Sequence, residues 1–387
     1  MRAQFPTPRA AYVHVPFCRH RCGYCNFTLV AGRDGLIDDY LRAIELELST
    51  LGDPSEVDTL FLGGGTPTQL PPEKLKSLIE MTRRWFPLAE GHEFSIEANP
   101  ADIDGELIAT LANLGVTRIS LGGQSFDAGK LKVLERDHGP DRLRRAVELS
   151  KVAFDSVSLD LIFGVPGETL EVWIADLSTA LSLAPDHLST YGLTFERGTA
   201  FWSRLLEGEL GRLDEDVERE MYTAGIESLV TAGFEHYEVS NFARQGHRCR
   251  HNETYWAGDG YFAVGPGAAR YVDGRREMNH RSTTTWLKRV LAGESPVADS
   301  ETLSAEDRAR EMLVFGLRRM DGVDRAAFAE RTGFEVDKLV GPALSTMLQQ
   351  TLLEDRDGRI RLTREGLLVS DAIWPHFLQP SVGQGSP

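Results

Sequence analysis

Along the first 235 residues, short β-branched apolar runs alternate with longer stretches in which apolar residues recur at helical spacing, the pattern of repeated strand–helix units. Six runs read as strands: residues 10–15, 57–62, 92–98, 116–121, 156–163 and 187–195. Between the second and third, Leu75, Leu78, Ile79 and Trp85 share one face of a segment opened by Pro71 and Pro72, so a helix is expected there. Such units build parallel sheets with right-handed crossovers. Six units exceed a small flavodoxin-like sheet and fall two short of a closed eight-stranded barrel. An open six-unit barrel and a doubly wound sheet both remain, and periodicity does not choose between them.

The texture then changes. Residues 236–295, rich in Asn, His, Arg, Gly and aromatics with little helical period, read as a connector. A C-terminal mixed α/β domain is expected over 296–378. Its first helix opens at Ser304, with Asp307 three residues on as in a capping box, and "LLEDRDGRIRL" reads as a hairpin turning on Asp357-Gly358. A hairpin after paired helices makes this domain winged-helix-like. The tail "QPSVGQGSP", residues 379–387, is expected to be disordered.

Composition narrows the function. A chain of 387 residues with four cysteines buries an ample core without disulfides. With no secretory pattern at the start and no run of eighteen apolar residues, a cytoplasmic protein with reduced thiols is expected. The net charge of −16 and the lack of a clustered Lys/Arg face argue against a nucleic-acid partner, even for a winged-helix-like domain.

In parallel α/β folds, chemistry collects where the strands end. Here the first strand runs into "PFCRHRCGYC", the second into "GGGTP", the third into Glu97 and "ANP", and the fourth into "GGQSF". The fifth carries Asp160 before "GVPGET", and the sixth carries Tyr191 and Glu196. Cys18, Cys22 and Cys25 are spaced for one loop around one metal centre, and Arg19 and Arg21 nearby would favour thiolates. A structural zinc site needs four ligands, for which His14 or His20 would have to serve, whereas a cubane on three cysteines keeps one iron free. Spacing alone leaves iron–sulfur, zinc and no metal open. "GGGTP" is neither a P-loop nor a dinucleotide fingerprint; it is a tight turn or a place where a ligand nears the backbone. Glu97 and Asp160, in apolar surroundings, need partners, while Arg136 and His138 in "LERDH" read as a solvated helix end.

The cysteine spacing with Tyr24 before the last cysteine, followed by "GGGTP", "SIEANP", "QSF", "LDLIFGVPGET" and "YGLTFERGT", resembles the radical S-adenosylmethionine (SAM) enzymes. More closely it is similar to the branch that holds oxygen-independent coproporphyrinogen III oxidase and the HemW-type haem chaperones, from about residue 10 to 374. The resemblance implies an open (β/α)6 partial TIM barrel. It also implies a [4Fe-4S] cluster on Cys18, Cys22 and Cys25, whose free iron chelates SAM for reductive cleavage to a 5′-deoxyadenosyl radical. By the same resemblance Tyr12 lies beside the cluster, Tyr24 packs near the adenosyl ligand, and Gly64, Gly65 and Thr66 contact the methionine moiety. Glu97, Gln124, Arg136 and Asp160 fall where the family meets one or two SAM molecules. Gly123 departs from relatives, which carry an apolar side chain there.

Three features bear on which member of the branch the chain resembles. Phe27 stands where the oxidase has a fourth cysteine, only eleven residues precede Tyr12 where the oxidase has a long extension, and "HNETYW" (251–256) is similar to the chaperones' H-N-x-x-Y-W. The resemblance therefore implies a haem carrier that delivers haem to haem-dependent respiratory membrane enzymes or their apoproteins, with an electron donor for the cluster and a homodimer as a candidate assembly. Porphyrinogen decarboxylation is the alternative. In the motif His251 offers an imidazole to iron, and Tyr255 and Trp256 offer aromatic contact to the macrocycle; packing of the second domain onto the barrel is the plainer role. Cys249 reads as a small buried residue.

Overall fold

The computed structural model describes residues 6–378; the expected disordered tail lies outside the described residues. Nine strands form one sheet, and the six expected strands are its centre, in chain order: Ala10–Val15, Val57–Gly64, Leu88–Ala98, Arg118–Gln124, Ser156–Phe163 and His187–Gly192. All six run parallel. Along each, residues facing the surrounding helices are apolar: Ala11, Val13 and Val15 of the first strand are fully buried, as are Leu60 and Leu62 of the second. The alternate residues face inward and are largely polar or aromatic, and parallel register sets them side by side, with Tyr12 opposite Phe61, Glu97 opposite Ser120 and Asp160 opposite Ser189. An open barrel with a polar interior is the result.

Helices cover the outer face as the apolar spacing predicts. Pro72–Trp85 starts on its proline and buries Leu75, Leu78 and Ile79, each burial contributing about 1.5–3 kcal/mol. Asp104 and Thr169 cap the helices Gly105–Asn113 and Leu170–Ser182 by accepting backbone N–H groups, so both helices begin where their strands' loops deliver them.

The stretch expected as a connector is built into the barrel. Phe262–Val264 pairs in parallel with the first strand, and Asn241–Ala243 pairs antiparallel with the sixth and with Glu235–Glu238. These strands are three or four residues long, too short to show a period of two. The helix Arg250–Trp256, which carries "HNETYW", lies between them in sequence. A three-stranded antiparallel sheet follows, formed by Ala269–Val272, Arg275–Asn279 and Val297–Thr302.

The C-terminal domain has its own core, around Leu313, Leu317, Leu339, Ile360 and Phe377. Helices Ala305–Arg318, Arg325–Thr332 and Val336–Gln349 pack with a small sheet whose hairpin, Leu353–Arg356 and Arg359–Leu362, turns on Asp357 (φ 54°) and Gly358 (φ 76°). Two consecutive positive φ values are the type I′ geometry that an Asp-Gly pair supplies. Ser304 accepts the Asp307 N–H at 3.1 Å, and its hydroxyl donates to the Asp307 carboxylate at 2.7 Å.

Candidate cofactor site at the barrel mouth

The first strand ends in Val15 and Pro16. The chain then makes a short parallel pairing of Phe17–Cys18 with Val30–Ala31, which closes the cysteine loop on itself. Within the loop the Cys25 N–H donates to the Cys22 carbonyl at 3.0 Å. Cys18 Sγ lies 3.2 Å from Thr66 Oγ1, so the "GGGTP" turn touches the first cysteine. Burial pushes the Cys18 thiol up to about 11 and raises Cys25.

Of the two expected cations, Arg21 does favour the Cys25 thiolate, while Arg19 is drawn to a carboxylate. Arg19 pairs with Asp102 at 3.0 Å, and Arg21 donates to the Leu29 carbonyl at 3.2 Å. Arg136, not expected there from its local sequence, also reaches across the mouth, with Nη1 3.5 Å from Cys22 Sγ and Nη2 donating to the Gly122 carbonyl at 2.8 Å. Its Nε is buried without a hydrogen-bond partner. The expectation of a solvated helix end at "LERDH" is thus overturned for Arg136 and for the buried His138, whose Nε2 lies 3.0 Å from the Gly123 carbonyl. The reason is tertiary: the loop folds back under the fourth strand, which no local pattern encodes.

The glycines of "GGGTP" serve the packing of that turn. A Cβ on Gly64 (φ 109°) would lie 2.2 Å from the His14 ring, and one on Gly65 would lie 2.7 Å from the Phe17 carbonyl oxygen. Gly64 N–H donates to Glu97 Oε2 at 2.8 Å. Glu97 is raised to about 7 by burial and by the Asp160 charge. Asp160, which accepts the Ser120 hydroxyl at 3.2 Å, is raised to about 6 by burial. The fourth strand slips register between Gly122 and Gln124, and Gln124 sits at φ 64°, a conformation non-glycine residues rarely hold. This bulge turns Gln124 toward the mouth beside Arg136, since both side chains approach Gly122. Gly123 is explained here too: a Cβ would meet Leu159 at 2.6 Å and Leu143 at 2.8 Å. These two leucines fill the space that a side chain at position 123 would take. Tyr24 packs edge-on to Phe201 at 6.1 Å, with burial raising its hydroxyl.

These residues fit a cluster with a bound SAM. The three thiols come from one loop, and a structural zinc site would need a fourth protein ligand beside them. His14 has no lone pair to offer, because Nε2 donates to the Thr28 carbonyl at 2.7 Å and Nδ1 accepts the Tyr12 hydroxyl at 3.0 Å. The mutual repulsion of Glu97 and Asp160 suits a cationic ligand, and the orphaned Arg136 Nε suits a carboxylate.

"HNETYW" folds as a helix whose N-terminus is held by Glu93, from inside the third strand. Its carboxylate accepts Arg250 N–H at 2.9 Å and His251 N–H at 3.1 Å, with the buried Cys249 thiol 3.7 Å away. An anion at this position satisfies donors that a helix start leaves free. His251 is enclosed: Nδ1 meets Thr59 Oγ1 at 2.9 Å, Nε2 meets the Tyr255 hydroxyl at 2.8 Å, and burial lowers the ring to about 3. The imidazole expected to face iron is therefore neutral but committed to the barrel. Tyr255 also stands edge-on to Tyr261, and Trp256 lies under Arg318 at 4.5 Å and against Phe315 of the C-terminal domain. The motif joins barrel to second domain.

Sequence reasoning missed Glu93, Arg118 and His187. Arg118 donates to Ser156 Oγ at 2.7 Å and the His247 carbonyl at 3.1 Å, and His187 bridges Ser158 and Tyr237. Their signal was present: polar residues at every second position, as in Glu93-Ser95-Glu97 and Arg118-Ser120, mark an inward face.

The family model for the radical SAM superfamily matches residues 12–179, and that for the HemN C-terminal domain matches 303–369. The chain is 34% identical to "Heme chaperone HemW" of Bacillus subtilis, over 96% of this chain and 99% of the relative. It is 38% identical to the protein of that name from Mycobacterium tuberculosis, over 95% and 94%. Among solved structures, coproporphyrinogen III oxidase (HemN) from Escherichia coli superposes with a TM-score of 0.85 at 21% identity, covering 96% of this chain and 90% of that one, a likeness of fold. No helix among the described residues is long and apolar enough to cross a membrane.

Proposed function

The chain belongs to the radical SAM superfamily and, within it, to the family of the HemW heme chaperones, and on that premise we propose that it is a haem carrier. It would hold a [4Fe-4S] cluster on Cys18, Cys22 and Cys25 with SAM beside it, and pass haem in the cytoplasm to haem-dependent respiratory membrane enzymes or their apoproteins. The observation that carries this reading is Phe27. By the resemblance it stands where the oxidase carries a fourth cysteine, and its ring is 63% exposed at the edge of the cysteine loop, open to an apolar ligand.

Around the bound cofactors each residue has work suited to its chemistry. Arg136 and Gln124 would orient the SAM carboxylate and ribose, Glu97 its ammonium, Gly64, Gly65 and Thr66 its methionine chain, and Tyr24 the adenosyl side. Asp160 lies deeper, tied to Ser120, and Tyr12 buttresses His14 behind the cluster loop. When bound, the cluster supplies an open iron for SAM and an electron from an external donor. Of the chaperone-like motif, Tyr255 remains available to a macrocycle, while His251 anchors its helix and Trp256 packs against the C-terminal domain.

The test is anaerobic purification, cluster reconstitution, and separate offers of haem and coproporphyrinogen III. Stoichiometric haem uptake without decarboxylation is expected. Turnover to protoporphyrinogen IX overturns the reading in favour of the oxidase.

A further inference from the structure

A cleft of about 450 Å³ opens between the cysteine loop and the Ala269–Val272/Arg275–Asn279 hairpin. Its lining includes the rings of Tyr12, Tyr255 and Tyr261, the side chains of Phe27 from the cysteine loop and Met278 from the hairpin, and Arg281. Phe27 and Met278 are among the exposed large apolar side chains, at 63% and 37%. The hairpin's alternation sets its share of the lining: Ala269 is paired with Met278 and both line the cleft, while the next pair, Arg270 and Glu277, form a salt bridge.

The lining selects its occupant. Exposed apolar side chains among three tyrosine rings suit a flat apolar body of a size usual for such pockets. In a chain of net charge −16, the residues lining the cleft include no carboxylate, and Arg281 forms no ion pair among the described residues. Its guanidinium leans on the Asn26 carbonyl at 2.6 Å and points to an anionic rim on the ligand. For a metal in that body the cleft holds one uncommitted soft donor, the Met278 thioether. His14 is engaged at both nitrogens and lowered to about 4 by burial, and His251 is enclosed.

We infer that haem binds in this cleft, beside the cysteine loop, with Phe27 on the macrocycle, Arg281 meeting a propionate and Met278 as an axial ligand to iron. This rests on the haem-carrier reading and changes its geometry, since iron is ligated from the hairpin and not from the "HNETYW" histidine. A thioether is a weak ligand for ferric iron and favours the ferrous state, which suits a site that must release its cargo.

The test uses the full-length reconstituted protein, titrated with haem and, in parallel, with metal-free protoporphyrin. Wild type is compared with Met278→Leu, Met278→His and Phe27→Ser. Met278→Leu keeps an apolar side chain and loses the donor. It should weaken haem by about 10- to 100-fold, remove the sulfur-to-iron charge-transfer band, and leave protoporphyrin binding unchanged. Met278→His should restore haem affinity with a nitrogen-ligated spectrum, and Phe27→Ser should weaken both porphyrins. Wild-type haem affinity and spectrum in Met278→Leu overturn the site while haem carriage stands. Failure of the wild type to take up haem overturns the carrier reading itself.

Discussion

Removing Lys130 should cost more stability than removing either of its partners. Lys130 Nζ pairs with Glu168 and, at 2.9 Å, with Asp176, and the three side chains are 3%, 0% and 2% exposed. The two carboxylates also hold loops of the candidate site. Asp176 accepts Ser125 Oγ at 2.7 Å and Phe126 N–H at 2.6 Å, just after Gln124; Glu168 accepts Val165 N–H at 3.0 Å. Lys130→Met leaves two unpaired carboxylates together in the interior, a loss of about 3–5 kcal/mol. Asp176→Asn keeps a neutral Lys–Glu pair and one acceptor oxygen, for Phe126 N–H, and gives up the bond from Lys130, about 1.5–3 kcal/mol.

The pH dependence separates the two variants. Burial raises Glu168 already, and without Lys130 its charged form is disfavoured further. The native variant then binds more protons than its unfolded chain, so its stability should rise as pH falls from neutrality toward about 5, while the Asp176→Asn deficit stays flatter. Urea unfolding followed by circular dichroism across that range is the assay, with hydrogen exchange over residues 122–131 to localise the effect. A Lys130→Met loss below about 1 kcal/mol, or equal losses for both variants at every pH, would refute the reasoning. Loosening of Gln124 should also show as weaker SAM binding.

Glu93→Ala should strip the Arg250 and His251 N–H groups of their buried acceptor and destabilise by about 2–4 kcal/mol, with increased exchange across residues 249–256 as the readout. Glu97 and Asp160, raised to about 7 and about 6, hold more protons folded than unfolded, so apo stability should fall as pH rises from about 4.5 to 7. SAM affinity, measured calorimetrically, should rise over the upper part of the same window as Glu97 ionises to meet an ammonium. Gly123→Leu should cost about 1–3 kcal/mol because Leu143 and Leu159 occupy its space; Leu143→Ala in the same chain should recover part of that loss in urea melts.

How much was legible depends on the range of the interaction concerned. The strands at 10–15 and 156–163 have the expected bounds, because alternation over six or eight residues is a local property of the chain. The expected sixth strand ends earlier, at Gly192, since pairing with the fifth ends at Phe163. Cysteine spacing, the Asp357-Gly358 turn and the Ser304 cap are equally local. Nothing local told that Arg136 joins Arg21 beside the thiols while Arg19 turns to Asp102.

From the sequence alone come the strand–helix repeat, the three-cysteine loop, the polar strand ends and a specific family resemblance. Only the tertiary structure decided which groups meet. It closes sheet register so that Glu93 holds the His251 amide 158 positions away, and Arg136 reaches Cys22 across 114. It also encloses His251 and leaves Phe27 and Met278 exposed in the lining of one open cleft. Periodicity reports which face a residue presents; what stands opposite that face is set by the packing of distant elements, and chemistry needs both.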